Sequence, residues 1–334
     1  MYEKLDDVTL KSGEKVELGL VKGPDLAWVD RIDGDLLAHK GETWRWGNRL
    51  MLEQDLGVDA FFYILHRDGK PFSNVMTVEY DGIGILGHVF TVPEDRRQGA
   101  ASAIFRGLMA HFEGRNGQAM LLGTGYDSPP YHIYKAFGFE GLEAQSGTMA
   151  FYAVGEDAFR DAYFTAGEVV VERLGPTHYP VTPVLFSGGF EGCVRSNVMR
   201  LYGRSSSEGP LIPVLRDELE RQADDKSTRT VVARVSGRSS VVGFATTDRD
   251  PLWPGTCVVD VFCHPNFWAH GSDLLNAMTW PNAHRYVAYC DAGWQEKESV
   301  LHEAGFQQAA TLKHWVPVDR AATDWVDVNM WVKA

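Results

Sequence analysis

Arg96-Arg97-Gln98-Gly99-Ala100-Ala101-Ser102 sets two guanidinium groups beside residues with little or no side chain. The apolar residues that follow, Ile104, Phe105, Leu108, Met109 and Phe112, repeat at the period of one helix face. Small residues at a helix start let a ligand approach the backbone closely. The unpaired N–H groups and the positive helix end then favour a phosphate or pyrophosphate, and Arg96 and Arg97 add cationic donors. This is the chemistry of an anion cradle for a nucleotide-like cofactor. It is neither a Walker A loop, which needs Gly-Lys-Ser/Thr, nor a Rossmann fingerprint, which needs Gly-x-Gly-x-x-Gly at the turn.

The elements that position this cradle are legible around it. Residues 15–21 read as a strand, 25–56 as helix or loop, and 61–66 as a strand closed by the turn Asp68-Gly69-Lys70. Residues 74–80 and 83–92 form the next two strands, joined at Asp81-Gly82. After the cradle helix come a strand at 119–123, a helix at 130–136 and a closing strand near 148–154. One domain is expected over residues 1–155.

The order strand, cradle, helix, strand and then Ile133-Tyr134-Lys135-Ala136-Phe137-Gly138-Phe139 resembles motifs A and B of the GNAT acetyltransferase superfamily. Motif A, [Arg/Gln]-x-x-Gly-x-[Gly/Ala], is matched by Arg96 to Ala101. The resemblance implies α/β (α+β) architecture, each GNAT fold being a mixed, mainly antiparallel sheet flanked by helices. It implies acetyl-CoA as cofactor, with the pantetheine held by the backbone of Phe90, Thr91 and Val92. The pyrophosphate would lie on the amides of Arg97, Gln98, Gly99, Ala100, Ala101 and Ser102, with Arg96 in the same loop. Tyr134, four residues before Gly138, falls where the family's general-acid tyrosine lies; the other reading is a packing ring beside Phe137 and Phe139. Asp127 and Pro130 depart from the usual Asn and Ala of motif B, and Asp127 is assigned either to the cofactor arm or to a helix cap.

The family's base usually projects from the strand before the cradle. Ile85 and Gly87 occupy the matching positions and cannot act as bases. His88 faces the site only if a bulge shifts the register; Glu79, on the paired strand, would act through water. Trp28, Trp44, Arg45, Trp46 and Glu53 are candidates to line the acceptor pocket, where Trp44-Arg45-Trp46 would stack on a planar or cationic amine.

The second half reads as a worn copy. Strands at 231–235, 241–247, 256–263 and 285–290, a turn and helix at 266–278, and a helix at 296–304 follow the same order. Gly271 stands 172 residues after Gly99, and Gly305 stands 167 after Gly138. At the twin cradle Trp268, Ala269, His270 and Asp273 replace Arg96, Arg97, Gln98 and Ala101, and Leu301 replaces Tyr134. An aspartate there repels a pyrophosphate. Residues 165–334 are therefore expected to form a degenerate GNAT-like domain, structural or substrate-shaping; the other reading is a second ligand site with altered chemistry. Within it, 168–174 is a possible first strand, while 178–183 and 205–210 are loops. The resemblance as a whole is to tandem GNAT proteins.

Composition bounds the rest. The 334 residues carry 44% hydrophobic and 12% aromatic side chains, enough for two cored domains. A net charge of −13 argues against nucleic acid, whose phosphates need a basic face. No run has the length of a membrane span, and the start lacks the signature of a signal peptide, so a cytoplasmic location is expected. Cys193, Cys257, Cys263 and Cys290 form no Cys-x-x-Cys pair, so reduced structural thiols are expected and no metal site. The leading expectation is an acetyl-CoA-dependent N-acetyltransferase acting on a small-molecule or peptide amine. The alternatives are a non-catalytic acyl-CoA sensor or scaffold, and a GNAT-like decarboxylase or acyl loader.

Overall fold

The structure is a computed structural model that describes residues 1–190, 195–224 and 226–334. The chain divides into two compact units, Met1–Gly141 with Gly147–Phe159, and Leu142–Ser146 with Arg160–Ala334. The short segment Leu142–Ser146 thus departs from the boundary expected at residue 155.

In the first unit, β1 (Tyr2–Thr9), β2 (Lys15–Lys22), β3 (Asp59–Arg67), β4 (Lys70–Tyr80), β5 (Ile83–Thr91), β6 (Ala119–Gly123), β7 (Glu140–Gly141) and β8 (Thr148–Tyr152) form one sheet. Its order is β1-β2-β3-β4-β5-β6-β8-β7. Every registered pair is antiparallel except β5 with β6, which runs parallel because α2 (Ala100–Gly114) crosses between them. That parallel ladder holds only Ile83 to Ile85. Beyond it the strands separate, so among the described residues Leu86–Thr91 has ladder partners on its β4 side alone. β1 escaped the sequence reading because Glu3, Lys4, Asp6 and Asp7 give it the charged pattern of an edge strand.

The helix face anticipated from spacing is the one that is buried. Ile104, Phe105, Leu108 and Phe112 are inaccessible and join Leu18, Leu20, Tyr63, Leu65 and Leu86 in one core. α1 (Glu42–Glu53) and a wide turn at Asp30–Leu36 supply the helical segment expected between residues 25 and 56. α3 (Pro129–Ala136) follows β6.

After α4 (Glu156–Tyr163), the second unit comprises β9 (Val169–Arg173), α5 (Thr182–Phe186), the small ladder β10 (Arg195–Ser196) with β11 (Leu201–Tyr202), and α6 (Glu208–Ala223). Then come β12 (Thr230–Val235), β13 (Val241–Arg249), β14 (Thr256–Cys263), α7 (Gly271–Ala277), β15 (Arg285–Asp291), α8 (Gln295–Glu303), β16 (Gln307–Pro317) and β17 (Trp325–Lys333). The sheet order is β16-β17-β15-β14-β13-β12-β9. Again one pair is parallel, β14 with β15, and again only three residue pairs are in register before the strands part. Both units are α/β, each a mixed, mainly antiparallel sheet flanked by helices.

Residues 178–183, expected as a loop, belong to a helical stretch built from a 3-10 turn at Pro176–His178 and α5. α6 and the closing hairpin β16–β17 also had no counterpart in the sequence reading. α6 carries Pro210 near its start and Pro213 inside it, which mask its periodicity. Cys257, Cys263 and Cys290 are free and buried, and burial pushes the Cys290 thiol up to about 12; Cys193 lies outside the described residues.

Candidate active site

α2 begins at Gly99, whose φ of +83° places it in the left-handed region. No side chain caps α2. A Cβ at Gly99 would meet only the flexible Lys11 side chain, in ordinary contact at 3.8 Å, so it would fit without collision. Arg97 is also left-handed, at φ +64°, a conformation that costs a non-glycine residue about 1 kcal/mol. Arg67 holds the approach to this turn: its guanidinium reaches Asp95 at 2.8 and 2.9 Å and Glu14 at 2.6 and 2.8 Å. Asp95 is thereby neutralised rather than presented to an anion, and the paired guanidinium lowers its carboxyl below the usual range.

Arg96 and Arg97 are exposed, Ala100 is buried, and Ala101 and Ser102 occupy the first turn of α2. The Arg96 Nε donates to the Thr91 carbonyl at 3.1 Å, and the Lys11 amide donates to the Gln98 carbonyl at 3.0 Å. Lys11 therefore joins the cradle from the β1–β2 turn; only the fold brings it there. On the strand before it, Thr91 Oγ1 pairs with Ser73 Oγ at 2.8 Å, Val92 donates to the Phe72 carbonyl, and Phe90 packs on His39, centroids 4.2 Å apart.

The bulge on which His88 depended is present. Asn74 opposes Phe90 and Met76 opposes Gly87, which leaves an extra residue in β5, and His88 there has φ +53°. His88 is buried, lies edge-on to Trp44 at 5.2 Å, and its Nδ1 has no partner. Burial, reinforced by Lys40 and His39, lowers its pKa to about 3, so the ring is neutral. The Asn74 amide donates to the His88 carbonyl at 3.0 Å, while the Asn74 Oδ1 is buried without a partner. Asn48, one turn after Trp44 on α1 and so on the same helix face, is fully buried with neither amide atom partnered. Orphaned polar atoms of this kind are uncommon in a folded interior. Asn48 and Asn74 were missed because a buried amide looks like any other Asn in a sequence.

Other sequence candidates lie elsewhere. Glu79 opposes Gly84, at the opposite end of β5 from Thr91, and its oxygens are taken by Arg115 at 2.7 and 3.1 Å and by Thr77 at 2.7 Å. It is a structural ion pair, not a water-mediated base at the cradle. Trp28 stacks on Tyr2 at 5.1 Å with Arg31 on it at 5.0 Å, away from the His88 bulge. Arg45 is bound to the buried Asp33 at 3.1 Å, beside Arg49 at 2.9 Å, and Glu53 pairs with Arg49 at 3.2 Å; these brace α1 against the turn before it. Trp46 is half-buried on α1. Asp127 is exposed and paired with His132 at 2.9 Å, and Ser128 rather than Asp127 caps α3.

Tyr134 is buried on α3 against Phe105, 5.3 Å between centroids, and Phe139. The helix stops at Gly138, φ +84°, where the Phe139 amide donates to the Tyr134 carbonyl at 3.2 Å.

At the corresponding place of the second unit the cradle is not rebuilt. Gly271 is helical at φ −60°, and a Cβ there would meet Val300 at 2.7 Å. It serves the contact of α7 with α8 rather than a left-handed turn. Among the described residues no three His, Cys, Asp or Glu side chains gather as a metal site, and no helix is long and apolar enough to cross a membrane.

No family model matches the chain, and no curated protein matches it. Among solved structures it is similar to a ribosomal-protein-alanine N-acetyltransferase from Brucella melitensis, with 17% identity over 49% of this chain and 98% of that one, TM-score 0.36. It is also similar to a GNAT-family acetyltransferase from Streptococcus pneumoniae, with 13% identity over 50% and 99%, TM-score 0.37. A third is yncA of Salmonella typhimurium, a proposed acetyltransferase solved with its cofactor acetyl-CoA, with 14% identity over 50% and 94%, TM-score 0.37.

Proposed function

We propose that the first unit is an acetyl-CoA-dependent N-acetyltransferase and that the second is a degenerate GNAT-like copy without its own cofactor site. One observation carries this reading. β5 parts from β6 after Ile85 and leads into an uncapped helix N-terminus at left-handed Gly99, flanked by Arg96, Arg97 and Lys11. A separating strand offers free backbone groups to an extended pantetheine amide chain, and the helix start offers N–H groups to a pyrophosphate. The Lys11 side chain beside Gly99 would add a cation to such a group.

Bound there, acetyl-CoA supplies an activated thioester. The acceptor nitrogen forms a bond to the acyl carbon while the carbon–sulfur bond breaks. Tyr134 is assigned the proton for the departing thiolate, and its phenol is replenished from water. The neutral His88 imidazole accepts a hydrogen bond from the amine through Nδ1 and holds its lone pair toward the carbonyl. With a pKa near 3 it positions the amine, and the proton passes to solvent. Trp44, His88, Asn74 and Asn48 outline the acceptor side.

Calorimetry with acetyl-CoA tests the reading: micromolar-class binding to the native chain and none to Arg97→Glu are expected, while unchanged binding in that variant rejects the cofactor assignment. Thiol release over an amine panel then separates the enzyme from an acyl-CoA sensor, which binds without turnover, and from a decarboxylase or acyl loader, which needs no amine.

A further inference from the structure

The second unit keeps the separation of parallel strands without the phosphate turn, and a cavity of about 350 Å³ lies there. Its walls come from the segment after β14 (Pro265, Trp268) and the carboxyl end of β15 running into α8 (Asp291, Gly293, Trp294, Glu296). The carboxyl ends of parallel strands are where open α/β sheets take ligands, and the volume suits a small molecule. Asp291 and Glu296 line the cavity, and among the described residues no Lys or Arg does. This lining disfavours a phosphorylated or carboxylate ligand.

Two further features define what fits. Trp268 and Trp294 meet edge to face at 5.2 Å, giving aromatic walls. Trp268 is 6% exposed, and among the described residues its indole N–H has no acceptor. A buried donor without a partner costs about 1–3 kcal/mol, which an acceptor on a ligand would recover. Asp291 is fixed by Arg195, and Glu296 stands exposed at the rim. The Glu296 carboxylate at the rim can accept from a donor on the same ligand. Lys297 is buried, its Nζ 5.7 Å from the Trp294 ring, and burial holds its pKa below the usual lysine range.

We propose that this cleft is a second ligand site, independent of the acyl-transfer reading, for a small uncharged aromatic ring bearing a carboxamide. The carbonyl accepts from Trp268 Nε1, the amide N–H groups face Glu296 at the rim, and the ring lies against the two indoles.

The test titrates the full chain with nicotinamide and with nicotinate, which shares the ring but is anionic, using saturation-transfer NMR and tryptophan fluorescence. Nicotinamide is expected to bind saturably in the millimolar range, and nicotinate at least about tenfold more weakly. Trp268→Phe keeps the ring, removes the donor and weakens nicotinamide about fivefold. Ala292→Phe, at an exposed position in the cavity wall, abolishes binding with an unchanged circular dichroism spectrum, and it carries the test should Trp268→Phe fail to fold. Absence of saturable nicotinamide binding overturns the proposal. So does equal affinity for nicotinate, or unchanged affinity in either folded variant.

Discussion

The side-chain amide of Asn74 donates to the His88 main-chain carbonyl at 3.0 Å and so ties β4 to the one residue that makes β5 bulge. The bulge turns His88 to face Trp44, and burial lowers its pKa to about 3. An unfolded histidine titrates near 6.5. Between these values the unfolded chain binds a proton that the folded chain refuses, so folding stability falls as pH drops below about 6.5. His88→Gln is expected to remove about 2 kcal/mol of the loss between pH 6.5 and 5. Urea melts at both pH values measure it, and an identical pH slope in the variant means His88 is not buried neutral. His66, His111, His178 and His264 are also lowered by burial and supply the slope that remains.

Glu79 and Arg115 form a two-point ion pair with Glu79 only 2% exposed. Removing one member strands the other charge, which typically costs about 3–5 kcal/mol. Arg115 is partly exposed, so Glu79→Gln is expected to lose about 2–3 kcal/mol in chemical denaturation. Turnover per folded molecule should stay unchanged; a large fall in kcat with stability intact would return Glu79 to the chemistry.

How far the site was legible follows from which signals are local. The cradle was readable because a helix start, small residues and apolar spacing all lie within twenty residues of sequence. His88 was readable only as a condition, since a bulge depends on β4 as much as on β5. Lys11, Asn48 and Asn74 left no trace, because their neighbours come from strands and helices that meet only after folding. Tryptophans misled in part: Trp44 reaches His88 while Trp28 packs on Tyr2. The second sheet was readable up to β15, whereas β16, with Gln307, Gln308, Thr311, Lys313 and His314 along it, is mostly exposed and lacks a clean two-residue alternation.

Gly99 carries the left-handed turn that starts α2, and a side chain there would meet only Lys11, at ordinary contact distance. Substitution there is strained through the backbone rather than through collision. Gly99→Asn, which tolerates φ above zero, should keep acetyl-CoA affinity within severalfold. Gly99→Val should cost about 1–2 kcal/mol and lose at least tenfold in affinity as the turn reshapes. Calorimetry and thermal melts on the pair check this; equal affinity in both variants would mean the turn does not contact the cofactor.

Tyr134 and Leu301 close their helices in the same way. The Phe139 amide donates to the Tyr134 carbonyl at 3.2 Å around left-handed Gly138, and the Phe306 amide donates to the Leu301 carbonyl at 3.0 Å around left-handed Gly305. Both side chains are buried. The motif therefore folds with an aliphatic residue in that position, and packing alone does not require a hydroxyl. Tyr134→Phe keeps the ring against Phe105 and Phe139 while removing the proton donor. If the phenol protonates the leaving thiolate, kcat falls about 10²- to 10⁴-fold with the acetyl-CoA dissociation constant unchanged. The alkaline limb of the kcat profile should vanish with it, because that limb reports loss of the acid. A packing role predicts equal kcat, an unchanged pH profile and at most a small shift in melting temperature, so the two roles separate in a single variant.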